Sequence, residues 1–70
     1  ILAAELSETL NCFIASLPAT ERQIFLCRYW YLDSIDTISR SFCFSRSKVK
    51  SMLYRTRVKL LNHLKKEGAL

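Results

Sequence analysis

Apolar residues recur at helical intervals along nearly the whole chain. Leu2, Leu6, Leu10, Phe13, Ile14 and Leu17 keep the three- and four-residue spacing of one helix face, with Glu5, Ser7, Glu8 and Asn11 between them. Residues 2–16 are therefore predicted to form an amphipathic helix, stopped at Leu17-Pro18 because a residue before proline is pushed out of the α region. Thr20-Glu21-Arg22-Gln23 fits a capping box, with Thr20 as N-cap and Gln23 reaching back. The aromatic-rich run that follows predicts a second helix over 20–32, broken at Asp33-Ser34. Ser34 is a good cap for a third helix over 34–42, in which Ile35, Ile38 and Phe42 share a face. After Cys43-Phe44-Ser45, the stripe Val49, Leu53, Thr56, Leu60 and Leu64 predicts a long fourth helix over 45–66.

Two helices of about eight and twenty residues, joined by three residues with an apolar one in the middle, describe a helix-turn-helix. The expected fold is all-α: a single four-helix domain over residues 1–70 with the helix-turn-helix at 34–66. Ser39 is the small residue that lets the third and fourth helices approach, and Val49, Leu53 and Leu60 are expected to pack on Ile38, Phe42 and Phe44.

Charge changes the picture of the fourth helix. Residues 1–35 hold two cationic side chains against four carboxylates and residues 36–70 nine against two, so the net +5 is the sum of a weakly acidic half and a strongly basic one. Such asymmetry points to nucleic acid or an anionic surface. Arg46 and Lys48 stand in the first turn, where the helix dipole favours acids by about 0.3–1 kcal/mol per charge. Arg46/Lys50 and Arg55/Lys59 set like charges at i, i+4, each costing about 0.2–0.5 kcal/mol. Phosphates turn these penalties into attractions. Opposite the apolar stripe lie Lys50, Ser51, Tyr54 and Arg55, with Ser47 and Val58 at the margins. Lys50, Tyr54 and Arg55 are the expected base readers, whereas Arg46, Lys48, Arg57 and Lys59 lie nearer the rims and ends, where phosphates are closer.

Other chemistry finds little support. Cys12, Cys43 and Cys27 are widely spaced and lack a C-x-x-C or paired-histidine pattern, so they read as reduced thiols of a cytoplasmic protein, with no metal site and no cofactor. His63 is the only histidine and Gly68 the only glycine, which leaves neither an acid-base pair nor a phosphate-cradling loop. An enzyme is not expected. No apolar run approaches the roughly 20 residues of a membrane span. The chain opens at Ile1 directly on a predicted helix, as a piece cut from a longer protein would.

The ordered set Leu17-Pro18, Arg22, Ile24-Phe25, Arg28-Tyr29, Ser34, Ile38-Ser39, Ser45, Val49-Lys50-Ser51, Leu53, Arg55, Arg57 and Leu60 resembles region 4 of bacterial RNA polymerase sigma factors, most of all the extracytoplasmic-function and related alternative groups. The resemblance covers roughly residues 16–66. It implies a winged-helix-like DNA-binding domain without a wing, which reads the upstream, minus-thirty-five element of double-stranded promoter DNA in the major groove and docks on the β-subunit flap of RNA polymerase. It also implies base- or phosphate-facing roles for Ser47, Lys48, Lys50, Ser51, Tyr54 and Arg55. Whether an anti-sigma factor covers the surface stays open. Three positions depart from the family's pattern: Cys43 stands for a glycine, Ser39 for an alanine, and Thr37 where a glutamate often completes the cap.

Two rivals remain at this level. The effector domain of response regulators shares the four-helix layout and a Val-Lys helix, but the Leu17-Pro18 and Arg28-Tyr29 context favours the sigma resemblance. A protein-interaction module using the basic helix on an acidic partner is the other; a membrane helix wants large exposed apolar residues beside its cations, which Leu61 alone hardly supplies. Phe13, Trp30 and Tyr31 are apolar residues in the less basic half that the DNA-facing helix does not need, and are expected to be partly exposed and to receive the polymerase.

Overall fold

The computed structural model describes the backbone of residues 3–68 and the side chains of residues 7–68. Four helices follow one another: α1 (Ala3–Ser16), α2 (Ala19–Tyr29), α3 (Ile35–Phe42) and α4 (Arg46–Lys66). No strand occurs among the described residues. Leu2 and the side chain of Leu6, assigned to the first apolar stripe, lie outside the described residues.

The caps of α3 and α4 form where the hydroxyls stand. Ser34 Oγ accepts from the Thr37 backbone N–H at 3.1 Å, and its own hydroxyl donates to Thr37 Oγ1 at 2.9 Å, so threonine serves at the position where glutamate was the pattern. Ser45 Oγ likewise accepts from the Lys48 N–H at 3.1 Å. The start of α2 differs from the expectation. Pro18, at φ −55° and ψ 150°, is the N-cap and makes no side-chain cap; its carbonyl accepts from Arg22 N–H at 2.9 Å. Proline's fixed φ already suits the entry to a helix, so the helix begins before Thr20, which becomes an ordinary first-turn residue.

The end of α2 also moves. The N–H groups of Trp30 and Tyr31 both donate to the Leu26 carbonyl, at 2.8 and 3.1 Å, Leu32 swings to φ 58°, and Asp33 N–H reaches back to the Cys27 carbonyl at 2.9 Å. Arg28 Nη1 closes the turn by donating to the Asp33 carbonyl at 3.1 Å. The helix therefore stops at Tyr29, although apolar residues continue to Leu32.

Between α3 and α4, Cys43 takes the left-handed conformation at φ 56°, and Phe44 N–H donates to the Ser39 carbonyl at 3.1 Å. This is a Schellman-type ending with cysteine in glycine's usual place, at a cost of about 1–2 kcal/mol. The Ser39 hydroxyl donates in turn to the Phe44 carbonyl. Ser39 thus ties the turn at both polar groups of Phe44, which an alanine there could not do.

The core is built on α4, which packs against all three other helices. Ile24, Ile38, Val49 and Leu53 form its centre, and Cys27, Ile35, Phe42, Phe44 and Met52 close around them. Thr56, 1% exposed, belongs to the same stripe because its hydroxyl is satisfied by the Met52 carbonyl at 2.9 Å. Leu60 departs from the expected packing: it lies one turn beyond the α3 contact, beside Leu10, Ile14 and Phe25. A second aromatic group joins α1 to the rest, with Phe13 meeting Phe25 edge-on at a centroid distance of 6.3 Å and His63 at 5.4 Å. His63 is thereby a packing residue.

Candidate functional site

Burial of Val49, Leu53 and Thr56 against the core turns the opposite side of α4 to solvent. Lys50, Ser51, Tyr54 and Arg55 line one shallow, open concavity on that side. Tyr54 is 63% exposed, its ring open to a partner. Arg55 folds back along the helix, its Nε donating to the Ser51 carbonyl one turn earlier at 3.4 Å. Ser47 and Lys48 extend the exposed face toward the helix start. The first turn of α4 carries no acid of its own, so Lys48 adds its charge to the positive end of the helix dipole.

The remaining cations predicted for the interface have partners inside the domain. Arg46 Nε lies 3.0 Å from an Asp36 carboxylate oxygen, with both side chains more than half exposed. Arg57 Nη1 donates to the Tyr29 hydroxyl at 2.8 Å, and Lys59 Nζ donates to Glu21 at 3.0 Å. Arg57 and Lys59 therefore face α2, flanking the outward face that holds Lys50 to Arg55. Surface pairs of this kind are worth about 0–1 kcal/mol, little enough for a phosphate to replace the carboxylate.

One contact was missed in the sequence. Lys48 Nζ sits 3.9 Å from the centre of the Phe44 ring, which itself stacks on Phe42 at 6.1 Å. The i, i+4 spacing of Phe44 and Lys48 carries the signal, but Phe44 precedes the helix, and helix-face reasoning stops at the cap.

A second surface lies away from this face. Leu10, Ile14, Phe25, Leu26, Trp30 and Leu60 line an apolar cleft of about 340 Å³ between α1, α2 and α4, with Arg57 and Tyr29 at its rim. Trp30 and Tyr31 are 76% and 68% exposed, and Leu32, which sequence reasoning did not single out, is 79% exposed. Phe13 is corrected: at 3% exposure it belongs to the core, because it fills the space between Phe25 and His63. An amphipathic stripe shows which residues are apolar without showing which of them the neighbouring helices cover.

Cys12 and Cys43 are exposed free thiols, and Cys27 is half-buried. Burial, aided by the neighbouring Asp33 carboxylate, pushes the Cys27 thiol up from its ordinary range, so at neutral pH it is a small apolar packing residue. No group of three His, Cys, Asp or Glu able to hold a metal ion occurs among the described residues, and no described helix is long and apolar enough to cross a membrane.

Comparison with known proteins returns one family. The family model described as Sigma-70, region 4 matches residues 7–60, a stretch that begins within α1 and ends on Leu60 in α4. No curated protein and no solved structure matches the chain.

Proposed function

Starting from the fact that the chain belongs to the sigma-70 region 4 family, whose members act in promoter binding as parts of sigma factors, we propose that this domain reads the minus-thirty-five promoter element with α4 in the major groove. The observation that carries the reading is the exposed cluster of Lys50, Ser51, Tyr54 and Arg55 on a helix whose other side is locked in the core. Arginine and lysine suit the O6 and N7 acceptors of guanine, and a tyrosine ring can touch a thymine methyl. Arg46, Ser47, Lys48, Arg57 and Lys59 serve the phosphates on either side, which fix register and supply the salt-dependent part of affinity.

The same proposal gives the apolar cleft to RNA polymerase. Trp30 lines the cleft, and Tyr31 borders it beside Leu10 and Ile14; these two receive the flap of the β subunit, while buried Phe13 only backs Phe25 in its wall. An interaction module that uses its basic helix on an acidic protein is the competing reading; it accounts for the cations but not for the family match over residues 7–60.

Selecting bound sequences from a random duplex pool tests the proposal. A defined motif is expected, bound more tightly than random DNA by a ratio that persists as salt is raised. Recovery of unrelated sequences bound equally well would withdraw the promoter-reading role and favour the acidic-partner reading.

A further inference from the structure

Among the cations of α4 that contact another side chain, Lys48 meets an aromatic ring face, whereas Arg57 donates to the Tyr29 hydroxyl. Arg46 and Lys59 rest against carboxylates, which a phosphate has to displace. Lys48 is fixed by a ring, at 3.9 Å from the Phe44 centroid, and a ring face takes none of the ammonium's charge and replaces no strong acceptor. Its charge remains free for an anion.

The ring is in turn packed and its backbone tied. The Ser39 carbonyl accepts from the Phe44 N–H and the Ser39 hydroxyl donates to the Phe44 carbonyl, which pins the backbone from both sides. The ring stacks on Phe42 and packs against the core formed by Ile38 and Val49. Lys48 itself stands in the first turn of α4, its backbone N–H tied to the Ser45 cap. A long, four-carbon side chain that would otherwise sample many rotamers is therefore held from a well-packed base at the start of α4, and ordering it in advance removes part of the entropy cost that an unrestrained lysine meets on binding.

We propose that Phe44 is a positioning residue for DNA recognition, holding the Lys48 ammonium in its binding position without neutralising it. The inference rests on the reading of α4 as the DNA-facing helix. Phe44 touches no DNA in this scheme and acts through Lys48 alone.

Two measurements test it together. In the free domain, NMR should find the Lys48 ε-methylene protons shifted upfield by the ring current of Phe44; Phe44→Leu should return them to ordinary values and Phe44→Tyr should keep the shift. On the DNA site selected from the pool, Phe44→Leu should weaken binding about two- to fivefold, the effect of losing an exposed cation–ring contact. It should leave the salt slope unchanged, since the charge is still present, whereas Lys48→Ala should lower the slope by about one. In a Lys48→Ala background Phe44→Leu should cost nothing further, and Phe44→Tyr should bind as the parent does.

An equal loss for Phe44→Leu with and without Lys48 would show that the ring only packs the turn, and would overturn the inference. So would unshifted Lys48 methylenes, or a Lys48→Ala variant with undiminished affinity, while the DNA-facing role of α4 stood. Failure of the parent domain to prefer its selected site over random duplex would overturn that role itself, and the inference with it.

Discussion

Arg55 and Lys59 stand about one turn apart on α4 and should fail differently. Arg55 lies in the exposed concavity with Lys50 and Tyr54, while Lys59 reaches across to Glu21 on α2. Arg55→Ala is expected to cost about 1–3 kcal/mol on the preferred site and much less on random DNA. Lys59→Ala should weaken both alike and lower the salt slope by about one, because its pair with Glu21 is too weak to keep it from a phosphate. Titration of both variants on both DNAs at two salt concentrations separates the cases; equal losses for Arg55→Ala on the two DNAs would reduce that face to a backbone grip. Cys43 gives a second prediction at this scale. Its φ of 56° costs about 1–2 kcal/mol, and glycine there forfeits about 0.5–1 kcal/mol to its freer unfolded chain, so Cys43→Gly should stabilise the domain by about 1 kcal/mol in a denaturant titration. The outward face of α4 was legible because winding at 3.6 residues per turn needs no tertiary information. The inward pairing of Arg57 and Lys59 was not, since it depends on where α2 lies.

Elements were legible where a side chain makes the boundary. Ser34 and Ser45 cap their helices by local hydrogen bonds, so their positions could be read from the chain alone. Boundaries made by the backbone could not. Pro18 starts α2 through its dihedral angles, and Leu32 helps end it through a left-handed conformation that no residue type in the run Trp30-Tyr31-Leu32 announces. The loop that results carries the exposed rim of the apolar cleft, and a prediction belongs to it. Trp30→Ser and Tyr31→Ser should leave the helical circular dichroism intact and reduce binding to RNA polymerase, whereas Phe13→Ser should unfold the α1 packing first. Unchanged polymerase affinity in the two surface variants would remove the docking role from this cleft.

At the scale of the whole molecule, one helix serves both the core and the charged surface. Val49, Leu53 and Thr56 bury one side of α4 against the core while its other side faces outward, so nothing can move the exposed basic face without disturbing the core. Leu53→Ala should cost about 2–5 kcal/mol, enough to unfold much of a domain this small, and thermal melting should show it together with loss of DNA binding. The four-helix, helix-turn-helix plan was legible because its apolar stripes are nearly uninterrupted; the cleft was not, because it is assembled from Leu10, Leu26 and Leu60 on three different helices. The exposure of Trp30 has one more consequence. It is the only tryptophan in the chain and stands 76% exposed at the cleft mouth, off the face that carries Lys50, Tyr54 and Arg55. The free domain should therefore fluoresce at the long wavelengths of a water-surrounded indole, and its emission should move to the blue when a protein covers the cleft while staying put when DNA binds. The molecule carries its own optical label for telling its two partners apart.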